Sequence, residues 1–395
     1  MSHLRLHCGF VPLVDSAPMI VARELGFAQE EGIDLVLVKM PSWSALRDSL
    51  VLGQTEAAHM LSPVPVAMSL GLGGLPTRID ALMVLSVNGN VIGVSGALAA
   101  TMRKGGWTGS FHDPVGTGQH MIRATDRHLR VGVPYPFSMH AELLYLWLGA
   151  LGLSTPGELD VRTVPPPHMP DVMAAGEIDA FCVGEPWGST AVENAGAELV
   201  LPGAAIWSFA PEKVLAARHG WVEENPEAVG RLMRCLAQAA KWLSDRDNRA
   251  MAGEILSREE YLNIPNRIID RALMGRIVTT ARGLQAEAPN LLHFNAKAAN
   301  FPWRSQGAWI ASQIARRLGL DRKAAMEVGK ACFRSDLYRT NLGKLGIDMP
   351  GASEKVEGSL DHAEAVASTR GSLVLGPDRF FDGSVFDPSP DQRPV

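Results

Sequence analysis

The residues with chemistry to offer are a lysine, a histidine, a tryptophan, two amides and a carboxylate, each at a turn into or out of an apolar run. Lys213 enters an apolar stretch in "SFAPEKVLAARHGW". Such a lysine either snorkels to the surface or supplies a buried positive charge. His140 follows the helix-capping Ser138 in "VGVPYPFSMHAELLYLWLGALG". An imidazole in a first helical turn is pushed towards its neutral form and donates one hydrogen bond without titrating; otherwise it is a core histidine. In "PSWSALRDSL" either Ser42 or Ser44 caps a helix with Trp43 in its first turn, and free backbone N–H groups there suit an anion. "VNGNVIGVSGAL" sets Asn88 and Asn90 around Gly89. That spacing serves close approach to a ligand, a chain crossing between lobes, or both. Last, "FCVGEPWGST" isolates Glu185 between Gly184 and Pro186 at the end of an apolar run. Each place also reads as ordinary structure, the Trp43 helix start as a capped helix with a packing tryptophan.

Catalysis finds no comparable support. The chain has no P-loop, no GxSxG, no HExxH and no GxGxxG after a strand. Cys8, Cys182, Cys235 and Cys332 are far apart and have no metal-ligand spacing. The expectation is a binding protein, not an enzyme, with no cofactor and no metal.

The elements that must hold these residues follow from the apolar pattern. With 395 residues, 46% apolar and 20% charged, the chain has the profile of a folded protein large enough for two lobes. Strands are expected over Leu4–Phe10, Asp34–Met40, Ala57–Leu61, Ala81–Val87, Arg130–Pro134, Asp160–Val164, Ala180–Val183 and Glu198–Leu201. Helices such as Ala17–Leu25, Ser44–Leu52 and His140–Leu151 alternate with them and end at glycines, the pattern of an α/β protein. "LGQTEAAHM" and "AGEIDAFCV" share one plan: a helix closed by glycine, an acid (Glu56, Asp179), then a strand of small residues. Two copies suggest two similar lobes facing one cleft. After Trp207 the periodicity turns helical, as in "WVEENPEAVGRLMRCLAQAAKWLSDRDNR". We therefore expect a first lobe over 1–95, a second over 96–206, a return with helical packing over 207–370, and a turn-rich tail over 371–395 that wraps or dangles.

A net charge of −5 gives no global case for direct nucleic-acid or membrane-surface binding. No run approaches the roughly 18 apolar residues of a membrane span. The start "MSHLRLHCGFVPLVDSAP" has no basic region followed by an apolar core, and with the dispersed cysteines it sets the expectation of a cytoplasmic protein.

Taken in order, "GFVPLVDSAPMIVARELGF", "SWSALRD", "GQTEAAHML", "NGNVI", "FCVGEPW", "APEKVL" and "NFPWRSQGAW" resemble the nitrate- and bicarbonate-binding family of type II periplasmic binding proteins. The resemblance runs over roughly residues 4–310 and covers the last part of the chain poorly. It implies two α/β lobes closing on a small planar anion, with a helical C-terminal part. By the same resemblance the pocket positions fall on Trp43, Asn90, His140, Pro166, Val183, Gly184, Glu185 and Lys213. Lys213 would supply the charge, His140 and Asn90 hydrogen bonds, and Trp43 a cover. Glu185, which would repel an anion, would instead orient Lys213 or His140, with Gly184 letting the backbone approach. The short front resembles the cytoplasmic nitrate/nitrite sensor branch. That branch implies sequestration of an ANTAR-type RNA-binding antiterminator, released by nitrate or nitrite. The alternative is the nitrate- or bicarbonate-binding component of an ABC transporter.

Overall fold

The structure, a computed structural model, describes residues 4–75, 77–125 and 128–389. Its first lobe opens with β1 (Leu4–Phe10), α1 (Ala17–Glu24), β2 (Ile33–Lys39), α2 (Trp43–Val51), β3 (Ala57–Leu61), α3 (Pro63–Ser69) and β4 (Ile79–Asn88). The elements that position the site in the second lobe are β5 (Asn90–Val94), β6 (Leu129–Val133), α4 (Met139–Ala150), β7 (Leu159–Thr163), β8 (Ala180–Gly184), α5 (Trp187–Ala195) and β9 (Glu198–Pro202). The chain then returns as β10 (Pro211–Arg218), α6 (Pro226–Ser244), β11 (Leu292–His293), α7 (Arg304–Leu318) and α8 (Arg322–Cys332).

Two sheets result, one of six strands in the order β11-β4-β10-β3-β1-β2 and one of five in the order β7-β6-β8-β5-β9. In each, parallel α/β strands are joined by an antiparallel strand that has just crossed from the other lobe, and in the first sheet the short edge strand β11 is also antiparallel to β4. β5 runs antiparallel to β8 and β9, and β10 antiparallel to β3 and β4. The chain thus changes sheets at Gly89 rather than after residue 95, because "NVIGV" is itself a strand of the second sheet. With its φ of 104°, Gly89 adopts a turn that a side chain would oppose. Neither β5 nor β10 was among the expected strands, although Lys213 stood out at the head of a strand-like run.

The internal echo is physical. Gly53 and Gly176 both take left-handed conformations, with φ of 77° and 69°. Glu56 accepts the backbone N–H of His7 on β1 at 2.7 Å, and Asp179 that of Arg130 on β6 at 3.1 Å. Each acid ties the start of its lobe's inner strand to the neighbouring parallel strand. On the outside, Leu232, Leu236 and Leu243 of α6 are buried with Met19 and Ile20 of α1 in the core of the first lobe. The tail wraps: Phe380 is buried, its ring 4.8 Å from Trp207 and 5.9 Å from Trp309. Among the described residues no helix is long and apolar enough to cross a membrane.

Candidate functional site

Between the lobes, the C-terminal ends of the parallel strands meet the first residues of β5 and β10, the usual place for a ligand in open α/β sheets. Two helix starts face the same place. Ser42 Oγ accepts the N–H of Ala45 at 3.2 Å, which starts α2 at Trp43. Ser138 Oγ accepts that of Ala141 at 3.2 Å, which starts α4 and leaves His140 in its first turn.

Lys213 is the centre of charge and is wholly buried. Its Nζ lies 2.8 Å from Asp15 Oδ2, 2.7 Å from Glu212 Oε1 and 5.4 Å from the centre of the Trp43 ring. That Glu212 and Lys213 reach one spot is unexpected for neighbours on a strand, whose side chains alternate. The register of β10 against β4 slips on both sides of Lys213, and such a bulge re-aims the side chains. Around this pair His59 Nε2 sits 3.0 Å from Asp15 Oδ1, and His140 Nδ1 sits 3.4 Å from Glu212 Oε1. Asn90 Nδ2 donates to Glu212 Oε2 at 2.6 Å.

Burial sets the protonation of this cluster. It disfavours the Lys213 ammonium, but the charges of Asp15 and Glu212 outweigh it and hold the lysine above its ordinary value. Burial also opposes ionisation of Asp15, yet Lys213 and His59 keep that carboxyl well below the usual range. Glu212 is pushed up, by burial against the pull of Lys213. His140 falls well below its ordinary value through burial and the Lys213 charge, and His59 is lowered chiefly by burial. Both rings are therefore neutral at pH 7. The result is a buried site with one ammonium, two carboxylates and neutral donors. Trp43 Nε1 and both ring nitrogens of His140 have no hydrogen-bond partner among the described residues. An ammonium carries three N–H donors, so Lys213 keeps one beyond its two carboxylates.

The expected residues divide. Trp43, Asn90, His140 and Lys213 come together. One N–H of Asn90 is taken by Glu212, while its Oδ1 is buried without a partner among the described residues. Val183 pairs with Val91 and is buried in the apolar core. Pro166 starts a short 3-10 turn after the edge strand β7 and has no N–H to donate. Gly184 does permit a close approach, but a Cβ there would lie 2.6 Å from Leu13 Cδ2, so Leu13 of the first lobe fills the room it leaves.

Glu185 corrects the expectation. It pairs with neither Lys213 nor His140, because Asp15 and Glu212 hold the lysine and Glu212 lies nearest the imidazole. Instead Glu185 Oε2 accepts the backbone N–H of Ser189 at 3.2 Å, in the first turn of α5, and Oε1 has no partner among the described residues. Burial raises its pKa to about 7, against the Ser189 hydrogen bonds. Its backbone is what bridges the lobes: Glu185 O accepts the N–H of Val14 at 2.9 Å.

Asp15, His59 and Glu212 were the residues sequence reasoning passed over. All three stood inside quoted motifs, as acids or a histidine within apolar runs. Further contacts close the mouth. Arg47 donates to Tyr135 Oη at 2.6 Å, and Trp187 Nε1 to Pro12 O at 2.8 Å.

Comparison with known proteins agrees with this architecture. The profile of the NMT1-like family matches residues 2–257. The "Nitrate/nitrite binding protein NrtA" of Nostoc sp. is 28% identical over 387 residues, covering 96% of this chain and 82% of that protein. The "Nitrate import ATP-binding protein NrtC" of Synechocystis sp. is 34% identical over 88% of this chain, which spans about half (51%) of that longer protein. Among solved structures, the periplasmic nitrate-binding protein NrtA from Synechocystis superposes with a TM-score of 0.83 at 26% identity, covering 98% of this chain and 96% of that one. The fold is accordingly the two-lobe α/β fold of the periplasmic binding proteins.

Proposed function

The chain belongs to the NMT1-like family, and on that premise we propose that its cleft binds nitrate or nitrite and acts by closing on it, without catalysis. The observation that carries the reading is the buried donor set of Lys213, His140 and Trp43 Nε1, drawn from both lobes. A planar monoanion accepts from all three. Charge-assisted hydrogen bonds contribute roughly 1.5–3 kcal/mol each, so a few of them suffice for about −8 kcal/mol, a micromolar affinity. Because Asp15 and Glu212 more than offset Lys213, the cluster holds no excess positive charge, and a doubly charged ion meets stronger repulsion than a monoanion does. A second anion has one observation in its favour. Asn90 Oδ1 is buried without a partner, and the O–H of bicarbonate could donate to it where nitrate cannot.

Relatives named for nitrate import and binding support delivery of the anion to an ABC permease as the use of closure. The cytoplasmic sensor of the NasS type, sequestering an ANTAR-type antiterminator and controlling nitrate-assimilation genes, rests on the sequence resemblance. Calorimetry of the full chain with nitrate, nitrite, bicarbonate, chlorate and sulfate tests the ligand. Nitrate or nitrite should bind near micromolar and sulfate not at all; binding of sulfate in preference would sink the proposal. Co-purification with an ANTAR-type protein, lost on adding nitrate, would select the sensor use.

A further inference from the structure

Away from the cleft, a groove of about 640 Å³ opens between α4 of the second lobe and α7, α8 and the tail. α7 and α8 pack on α3 of the first lobe, so the two walls belong to different lobes. Its aromatic part is Trp309, Phe380 and Phe386, all buried. Arg316, Arg317 and Arg322 line it against two carboxylates, Glu142 and Asp382.

Glu142 is the unusual member. It is 2% exposed, and burial raises its pKa against the pull of Arg317. Arg317 donates to its Oε2 at 2.7 Å and lies 4.9 Å over the Tyr145 ring, while Oε1 has no hydrogen-bond partner among the described residues. A buried carboxylate oxygen is costly without a donor. Arg316 donates to the neutral Gln313 Oε1 at 3.0 Å and acts on Glu142 through its charge. The volume, the aromatic wall and the few convergent polar groups at a junction of lobes are those of a small-molecule site.

We propose that this groove is a second binding site, for a small organic carboxylate that also carries a hydroxyl or ammonium donor. Its carboxylate lies on Arg316 and Arg322, and its donor satisfies Glu142 Oε1. Inorganic oxyanions, which fit the arginines alone, bind more weakly. As α4 also carries His140, a ligand here braces the helix that serves the cleft.

Isothermal titration of the full chain with L-malate, succinate and sulfate tests the assignment without reference to nitrate. L-malate should bind, with succinate about fivefold weaker for want of the hydroxyl. Arg316→Ala with Arg322→Ala should weaken L-malate roughly tenfold. Glu142→Leu should bring L-malate and succinate level, because no acceptor is left for the hydroxyl. If neither carboxylate binds at about 10 mM, or if the double arginine variant binds L-malate as well as the parent, the site is not there. Sulfate binding as tightly as L-malate would equally overturn it, reducing the groove to a nonspecific basic patch.

Discussion

The two lobes are built by one plan and finished differently. In both, a left-handed glycine and an acid lead into the inner strand, and in both that strand ends at the cleft. Beyond that end the first lobe concentrates charge, with Asp15, His59, Glu212 and Lys213 in contact. The second lobe contributes neutral groups, Asn90, His140 and the start of α4, with Glu185 set aside against α5. The difference assigns them separate tasks. One lobe holds an ammonium in a fixed place, and the other sets neutral donors beside it. The meeting point is written in two bonds that Glu212 accepts, from Lys213 within its lobe and from Asn90 across the cleft.

Removing the charge from the first lobe breaks the comparison most severely. Lys213→Met leaves Asp15 and Glu212 buried without their cation, a loss of about 3–5 kcal/mol in stability. Urea denaturation should show it, and calorimetry should find no nitrate binding. Retained micromolar affinity would take Lys213 out of its role.

A change in the second lobe should instead act through pH. With a folded pKa of about 7 against an ordinary 4.5, Glu185 keeps its proton in the folded chain where the unfolded chain has lost it. The native state then binds more protons, so its contribution to stability falls as pH rises from about 4.5 to about 7 and is level above that. The fall is about 3 kcal/mol. Glu185→Gln should shrink the difference in stability between pH 5 and pH 8 by about that amount; an unchanged difference would place the titration elsewhere.

His140→Ala sharpens the division of labour. It removes one donor from a folded second lobe and should weaken nitrate by roughly 10–100-fold, about 1.5–3 kcal/mol, with the urea midpoint little changed. The smallest effect is expected from Trp187→Phe, which deletes the bond to Pro12 O across the mouth. About 1 kcal/mol of closed-state stability is lost, visible as a larger radius of gyration in nitrate-bound scattering; an identical radius would assign that bond no part in closure.

How far this was legible in the sequence depends on which rule each residue obeys. β8 was found because small and branched apolar residues run unbroken to a glycine, and β1 and β3 because apolar residues dominate with only Arg5, His7 and His59 among them. β5 was missed because five residues after an Asn-Gly turn look like a loop until a second sheet pairs with them. Lys213, His140 and Trp43 were visible as polar groups at helix starts and strand heads. Glu212 was not, since alternation along a strand puts it on the opposite face from Lys213, and only the irregular register of β10 brings the two together. Glu185 was conspicuous and misread: its neighbours Gly184 and Pro186 shape the meeting of two lobes, with Leu13 against the glycine and Val14 on the carbonyl.

The last feature is Asn88, which with Asn90 suggested a ligand contact or a crossing. Its side chain donates to Ser208 O and Asn290 O, both at 2.9 Å, and accepts from Ala210 N at 3.0 Å. One amide therefore stitches the outgoing thread at Gly89 to the returning thread before β10. Two threads fastened side by side resist sliding and shear, and leave a swing about the line through them. If closure is a swing of this kind, one distance measured across the mouth reports the whole of it.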